Sequence, residues 1–220
     1  LEDVYTLAHE FGHSVHSYLI NKTQPIIYSD VSIFLAEIAS TTNELLLTYC
    51  LLKKFDHREE RIAILNHFLE QFRTTFFRQA MFAEFELLIH QAQEKGEALT
   101  ADFFNQKYAE LNRFYYGENA IIDREISLEW ARIPHFFYNY YVYQYATGFA
   151  IATALSRKIL KEGTPAVGKY IDFLKRGSSD YPLSILKSTG IDPTNTIYLE
   201  DALDVFSELL AQLKSIKEKD

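Results

Sequence analysis

The sequence predicts an all-α fold, a helical bundle. Three observations lead there. Apolar residues recur at three- and four-residue spacing through long stretches of the chain. Capping residues, glycines and prolines fall between those stretches, where helices start and stop. No run of alternating polar and apolar residues marks a sheet.

Taken in order, the first helix spans Glu2 to about Ile20. Pro25 to Tyr28 is the one short piece that reads as extended. A second helix runs from about Asp30 to Lys54, with Ser29 or Asp30 as its N-cap. Arg58 to Glu94 carries one long periodic pattern (Ile62, Leu65, Phe68, Phe72, Phe76, Phe85), ended by Lys95-Gly96. Thr100 caps a helix that reaches Tyr115 or Tyr116 and stops at Gly117. Pro134 then breaks the chain, His135 to Tyr140 form a loop or short turn, and a helix runs from about Tyr141 to Lys161 before Gly163. Pro165 suits the first turn of a helix to Arg176, and Pro182 opens a short one through Lys187. Leu199 to Lys217 is the last helix, with fraying expected over Lys214 to Asp220.

The first helix carries His9-Glu10-Phe11-Gly12-His13, an HExxH motif. At about 1.5 Å of rise per residue, the two histidines stand about 6 Å apart on one face, and both rings can reach a zinc ion. Glu10 projects about 100° around the helix from His9, so it can touch a water at the metal without ligating the metal. Gly12 is costly inside a helix. It serves either close packing against another helix or clearance for substrate. His16 points about 60° away from His13 and would crowd one ion, so it reads as structural. His57, His67 and His90 show no partner pattern and read the same way.

A catalytic zinc needs a third protein ligand and an open position. The best candidate is Glu37, in Phe34-Leu35-Ala36-Glu37-Ile38-Ala39-Ser40-Thr41-Thr42-Asn43-Glu44. Glu37, Thr41, Glu44 and Thr48 form a polar stripe on an otherwise apolar helix. Such a stripe faces water or a charged object within the fold, and HExxH just upstream favours the second. Glu44 is then a candidate for orienting a ligating histidine. The segment Arg132-Ile133-Pro134-His135-Phe136-Phe137-Tyr138-Asn139-Tyr140-Tyr141-Val142-Tyr143-Gln144-Tyr145 packs tyrosines beside one histidine. Its N–H and phenol groups can face a developing oxyanion, or its rings can form an aromatic core. Arg132 suits either a substrate carboxylate or an ion pair.

HEFGH, FLAEIASTTNE and RIPHFFYNYYVYQYATG together resemble the oligoendopeptidase F group of the thimet-type oligopeptidases, a family of zinc metallopeptidases. The resemblance spans most of the chain. It implies a helical, zincin-type catalytic part lining a deep channel that admits short peptides and cleaves their internal bonds. It also implies one zinc per chain on His9, His13 and Glu37, with Glu10 as general base. His135 and Tyr143 resemble the family's transition-state donors, and Tyr138 and Tyr140 its substrate-contacting aromatics. Family members are much longer and carry HExxH deep in the sequence. The chain starting at Leu1 is therefore expected to be a catalytic fragment, residues 1–220, with zinc-binding helices in 1–56 and the His/Tyr loop at 132–148. Its expected partners are peptide substrates and the missing N-terminal part of the same polypeptide.

Composition agrees with a globular piece, because 48% hydrophobic residues suffice for a substantial core. A net charge of −8 speaks against a nucleic-acid surface, and no apolar run is long enough for a membrane span. Cys50 is the only cysteine, which excludes an internal disulfide and favours the cytoplasm; its apolar neighbours predict burial. Two rival classes stay open. One is a non-catalytic helical binding module that keeps the motif. The other is a zinc hydrolase of another specificity, such as an aminopeptidase.

Overall fold

The computed structural model describes residues 1–218. They form nine α-helices with short 3₁₀ turns and no strand among the described residues. The helices are α1 (Glu2–Thr23), α2 (Ile33–Lys54), α3 (Arg58–Gln71), α4 (Arg78–Glu94), α5 (Ala101–Tyr116), α6 (Tyr143–Glu162), α7 (Thr164–Leu174), α8 (Pro182–Ser188) and α9 (Ile197–Lys217). Their contacts divide the chain into two units, Leu1–Gln71 with Thr147–Asp220, and Phe72–Ala146.

In the first unit α1 and α2 pack along their lengths as an antiparallel pair. Tyr5 meets Thr48, Ala8 meets Asn43, Gly12 meets Ser40 and His13 meets Glu37, so rising numbers face falling ones. Gly12 settles between its two readings in favour of packing. A Cβ there would stand 2.7 Å from Ser40 Cα and 2.9 Å from its Oγ, so only glycine lets the helices approach this closely. Ser40, itself buried, is the small residue on the other side. Ile20, Leu35, Ile38, Leu45, Leu65, Phe68 and Phe173 fill the core, and the stretch Phe149–Leu155 of α6 is buried all round. The hydroxyls it carries inward stay satisfied, because Thr153 Oγ1 donates to Phe149 O at 2.8 Å and Ser156 Oγ to Thr153 O at 2.9 Å.

The second unit centres on Met81, Phe82, Phe85, Tyr108, Leu111, Ile133 and Val142. Glu129 is buried there and is held by Arg78 at 2.6 Å, by the Tyr108 hydroxyl at 2.7 Å, and by Arg132. These partners offset the burial that opposes ionisation and hold its carboxyl below the usual range. Arg132 is thus in an ion pair, one of its two expected roles.

Several boundaries differ from expectation. Ser32, not Ser29 or Asp30, caps α2, accepting from Leu35 N at 3.4 Å. Ile26–Tyr28 is a 3₁₀ turn and not extended. Tyr28 O takes the Ser178 N–H at 3.1 Å, and Gly177 (φ +51°) sits so close that a Cβ would lie 2.1 Å from the same oxygen. The long pattern from Arg58 to Glu94 is interrupted by a π-helical turn over Phe72–Phe77. Helix α6 starts at Tyr143, because Asn139 (φ 49°) and Tyr140 (φ 55°) are left-handed and delay it. Cys50 is exposed, since it lies about 200° around α2 from buried Thr48. Thr100 and Gly117 bound α5 as expected. Helix α9 is regular through Lys217, so fraying does not begin at Lys214; the part of that expectation at 219–220 lies outside the described residues.

Candidate metal centre

The close approach at Gly12 and Ser40 brings the polar edges of α1 and α2 together. His9 and His13 meet edge to face, their ring centroids 4.7 Å apart. Glu37 comes across from α2: Oε2 lies 3.5 Å from His9 Nε2, and Oε1 lies 3.7 Å from His13 Nε2. One ligand atom from each side chain falls within 4.8 Å of the others. Bonds of about 2.1 Å in a tetrahedron put ligand atoms about 3.4 Å apart, so this donor set fits a zinc ion. No other group of three such side chains is found among the described residues. The side chains of His9, His13 and Glu37 remain 25%, 29% and 41% exposed, which leaves the cluster partly open to solvent.

The tautomer of His9 is fixed from behind. Its Nδ1 lies 2.6 Å from Glu44 Oε1, and because an ionised carboxylate only accepts, Nδ1 carries a proton and Nε2 is the ring atom turned to Glu37. The same hydrogen bond raises the His9 pKa, against the burial that would lower it. Glu44 is held in turn by Gln71 Nε2, which donates to Oε2 at 2.9 Å. Asn43 reaches Ala8 O at 2.5 Å and ties the two helices one residue away. Glu10 is exposed and lines a shallow cavity with Tyr5, Thr6, His9, Glu44 and His67. The His67 ring stacks on Tyr5 (centroids 3.9 Å apart). His16 is buried beside Phe173, and burial pushes it down to about 4.

The remaining sequence-selected residues belong to the second unit. His135 sits at a 3₁₀ turn, Pro134–Phe137, with Tyr138, Tyr141 and Tyr145 around its ring at 5.8–5.9 Å. Tyr138, Tyr140 and Tyr143 are exposed. Tyr140 is anchored by its N–H on buried Glu86 Oε1 at 2.6 Å and by its ring against His90 (4.5 Å). Sequence reasoning selected neither Glu86 nor Gln71. Each acts at long range, from a helix where Glu and Gln are ordinary, and no local pattern signals it.

A helical fold that aims the histidines of an HExxH motif at a glutamate on the next helix makes a candidate metal centre. The chain belongs to Peptidase family M3, which it matches over residues 1–205. It is 55% identical to oligopeptidase PepF of Bacillus subtilis over 98% of its length and 32% of that protein. It is 51% identical to an oligoendopeptidase F homolog of Lactococcus lactis, over 100% of this chain and 36% of that one. Its fold matches a crystal structure of oligoendopeptidase-F from Enterococcus faecium (TM-score 0.91, 46% identity), covering 100% of this chain and 40% of the other. The chain thus spans about a third of the length of the curated relatives it matches.

Proposed function

We propose that this chain carries the zinc centre of an oligoendopeptidase that hydrolyses internal bonds of short peptides. The observation that carries the reading is the convergence of His9, His13 and Glu37, with Glu10 next to the first ligand on α1. Membership of a peptidase family and relatives with oligoendopeptidase names support the same chemistry. His9, His13 and Glu37 hold one zinc ion. When bound, zinc lowers the pKa of water toward ~7 and polarises a carbonyl oxygen. Glu44 keeps the His9 Nδ1 protonated, so Nε2 offers its lone pair. The Glu10 carboxylate takes the proton of the attacking water and delivers it to the nitrogen of the leaving amine. His135 and Tyr143 donate hydrogen bonds to the oxyanion, and Tyr138 and Tyr140 contact the peptide. The catalytic part acts with the remainder of a family-length polypeptide, which closes the peptide channel, and its place is the cytoplasm.

The test is Glu10→Gln in the enzyme of full family length. Zinc content should stay at one per chain while cleavage of a quenched peptide falls by about 10²–10⁴-fold. Loss of zinc together with activity would instead make Glu10 a structural residue. Tyr143→Phe should retain zinc and lower turnover by about 10²-fold; wild-type turnover would remove it from the site. Cleavage that requires a free N-terminus would point to the aminopeptidase alternative.

A further inference from the structure

We infer that Gln71 is a positioning residue of the metal centre. It holds Glu44 so that Glu44 can hold the His9 ring. The inference rests on the zinc reading above and extends it by one layer.

Three helices contribute one link each: His9 from α1, Glu44 from α2 and Gln71 from the last position of α3. Glu44 divides its oxygens, Oε1 to His9 Nδ1 at 2.6 Å and Oε2 to Gln71 Nε2 at 2.9 Å. A carboxylate held at one oxygen can swing about its terminal torsion, which is soft. A second donor, on the other oxygen, stops the swing. With Glu44 fixed, the plane of the His9 ring and the direction of its Nε2 lone pair are fixed too.

The Gln71 amide itself points to this role. Its Oε1 is buried and meets no hydrogen-bond donor among the described residues. An orphaned buried carbonyl oxygen works against stability, so folding alone gives no reason for a glutamine here. Among the described residues the amide's one hydrogen bond is to Glu44, and it sets the orientation, because the flipped amide would put oxygen against oxygen. The α-helical register also ends at Gln71, with the π-helical turn starting at Phe72. Such turns are frequent where a helix serves a site.

The experiment is a double-mutant cycle in the enzyme of full family length, with zinc affinity read by competition against a chromophoric chelator. Gln71→Met keeps the volume and removes the donor. It should weaken zinc binding by about tenfold, the lower end of the effect of outer ligand partners. The thermal midpoint of the zinc-free chain should not fall. Gln71→Leu should give the same loss. In a Glu44→Ala background, Gln71→Met should change zinc affinity by less than about twofold, because its route to the metal is gone. Unchanged affinity in both Gln71 variants, or an equal loss with and without Glu44, overturns the inference and leaves the metal site standing. A wild-type chain that takes up no zinc overturns the metal site and this inference together.

Discussion

At Gly12 the absence of a side chain sets the distance between the two ligand-bearing helices. Gly12→Ala places a methyl 2.7 Å from Ser40 Cα, and the backbone must move to admit it. The cost should be about 1–3 kcal/mol from overpacking, set against up to about 1 kcal/mol gained in helix propensity. Zinc affinity should fall as well, because Glu37 retreats from the rings; a variant with wild-type affinity and midpoint would refute this account of Gly12. His16 makes a second residue-scale case. Its pKa drops from 6.5 to about 4 in the fold, chiefly by burial and then by the charge of His13. The unfolded chain therefore binds the extra proton. Stability is complete above pH 6.5 and is lost as pH falls toward 4, by up to about 1.4 kcal/mol per pH unit. His16→Phe should flatten that part of the urea-stability profile, and an unaltered slope would show that other groups set it. The HExxH pair, the Glu37 stripe and the structural status of His16 were all legible in the sequence, because each follows from helical spacing within a turn or two. Gln71 was not, because its partner is 27 residues away in the chain.

At the scale of elements, helix identity followed from periodicity, and the boundaries failed where tertiary bonds set them. Ser32 outcompetes Ser29 and Asp30 as the α2 cap. Ser29 Oγ is instead used on Ile26 O and Asp30 Oδ1 on Val31 N. The 3₁₀ turn at Ile26–Tyr28 depends on Gly177, over a hundred residues away, which no local pattern reveals. The tyrosine loop depends on α4. Two consecutive non-glycine residues with positive φ are costly, and the Glu86 bond to Tyr140 N–H is what holds the second of them. Glu86→Ala should leave that N–H without its acceptor and lower stability by about 1–3 kcal/mol. Amide exchange over 138–142 should rise more than in α5; equal protection in variant and wild type would show that other contacts hold the loop.

Across the whole molecule, the two units meet the rest of the chain inside helical runs, at Gln71/Phe72 and within α6 at Ala146/Thr147. Neither junction carries a Gly-, Pro- or Ser-rich linker, so composition gave no sign of the division. No described helix is long and apolar enough to cross a membrane. A ligand that binds only the folded chain stabilises it by mass action. Zinc at a hundredfold excess over its Kd should therefore add about 2.7 kcal/mol to the stability of the first unit, and a chelator should remove it. The most direct test of the central claim is zinc X-ray absorption on the loaded chain. It should report one zinc with two imidazole nitrogens and a carboxylate oxygen at about 2.0–2.2 Å, and Glu37→Ala should delete the carboxylate from that shell. A zinc shell that lacks either imidazole, or that is unaltered by Glu37→Ala, would contradict it.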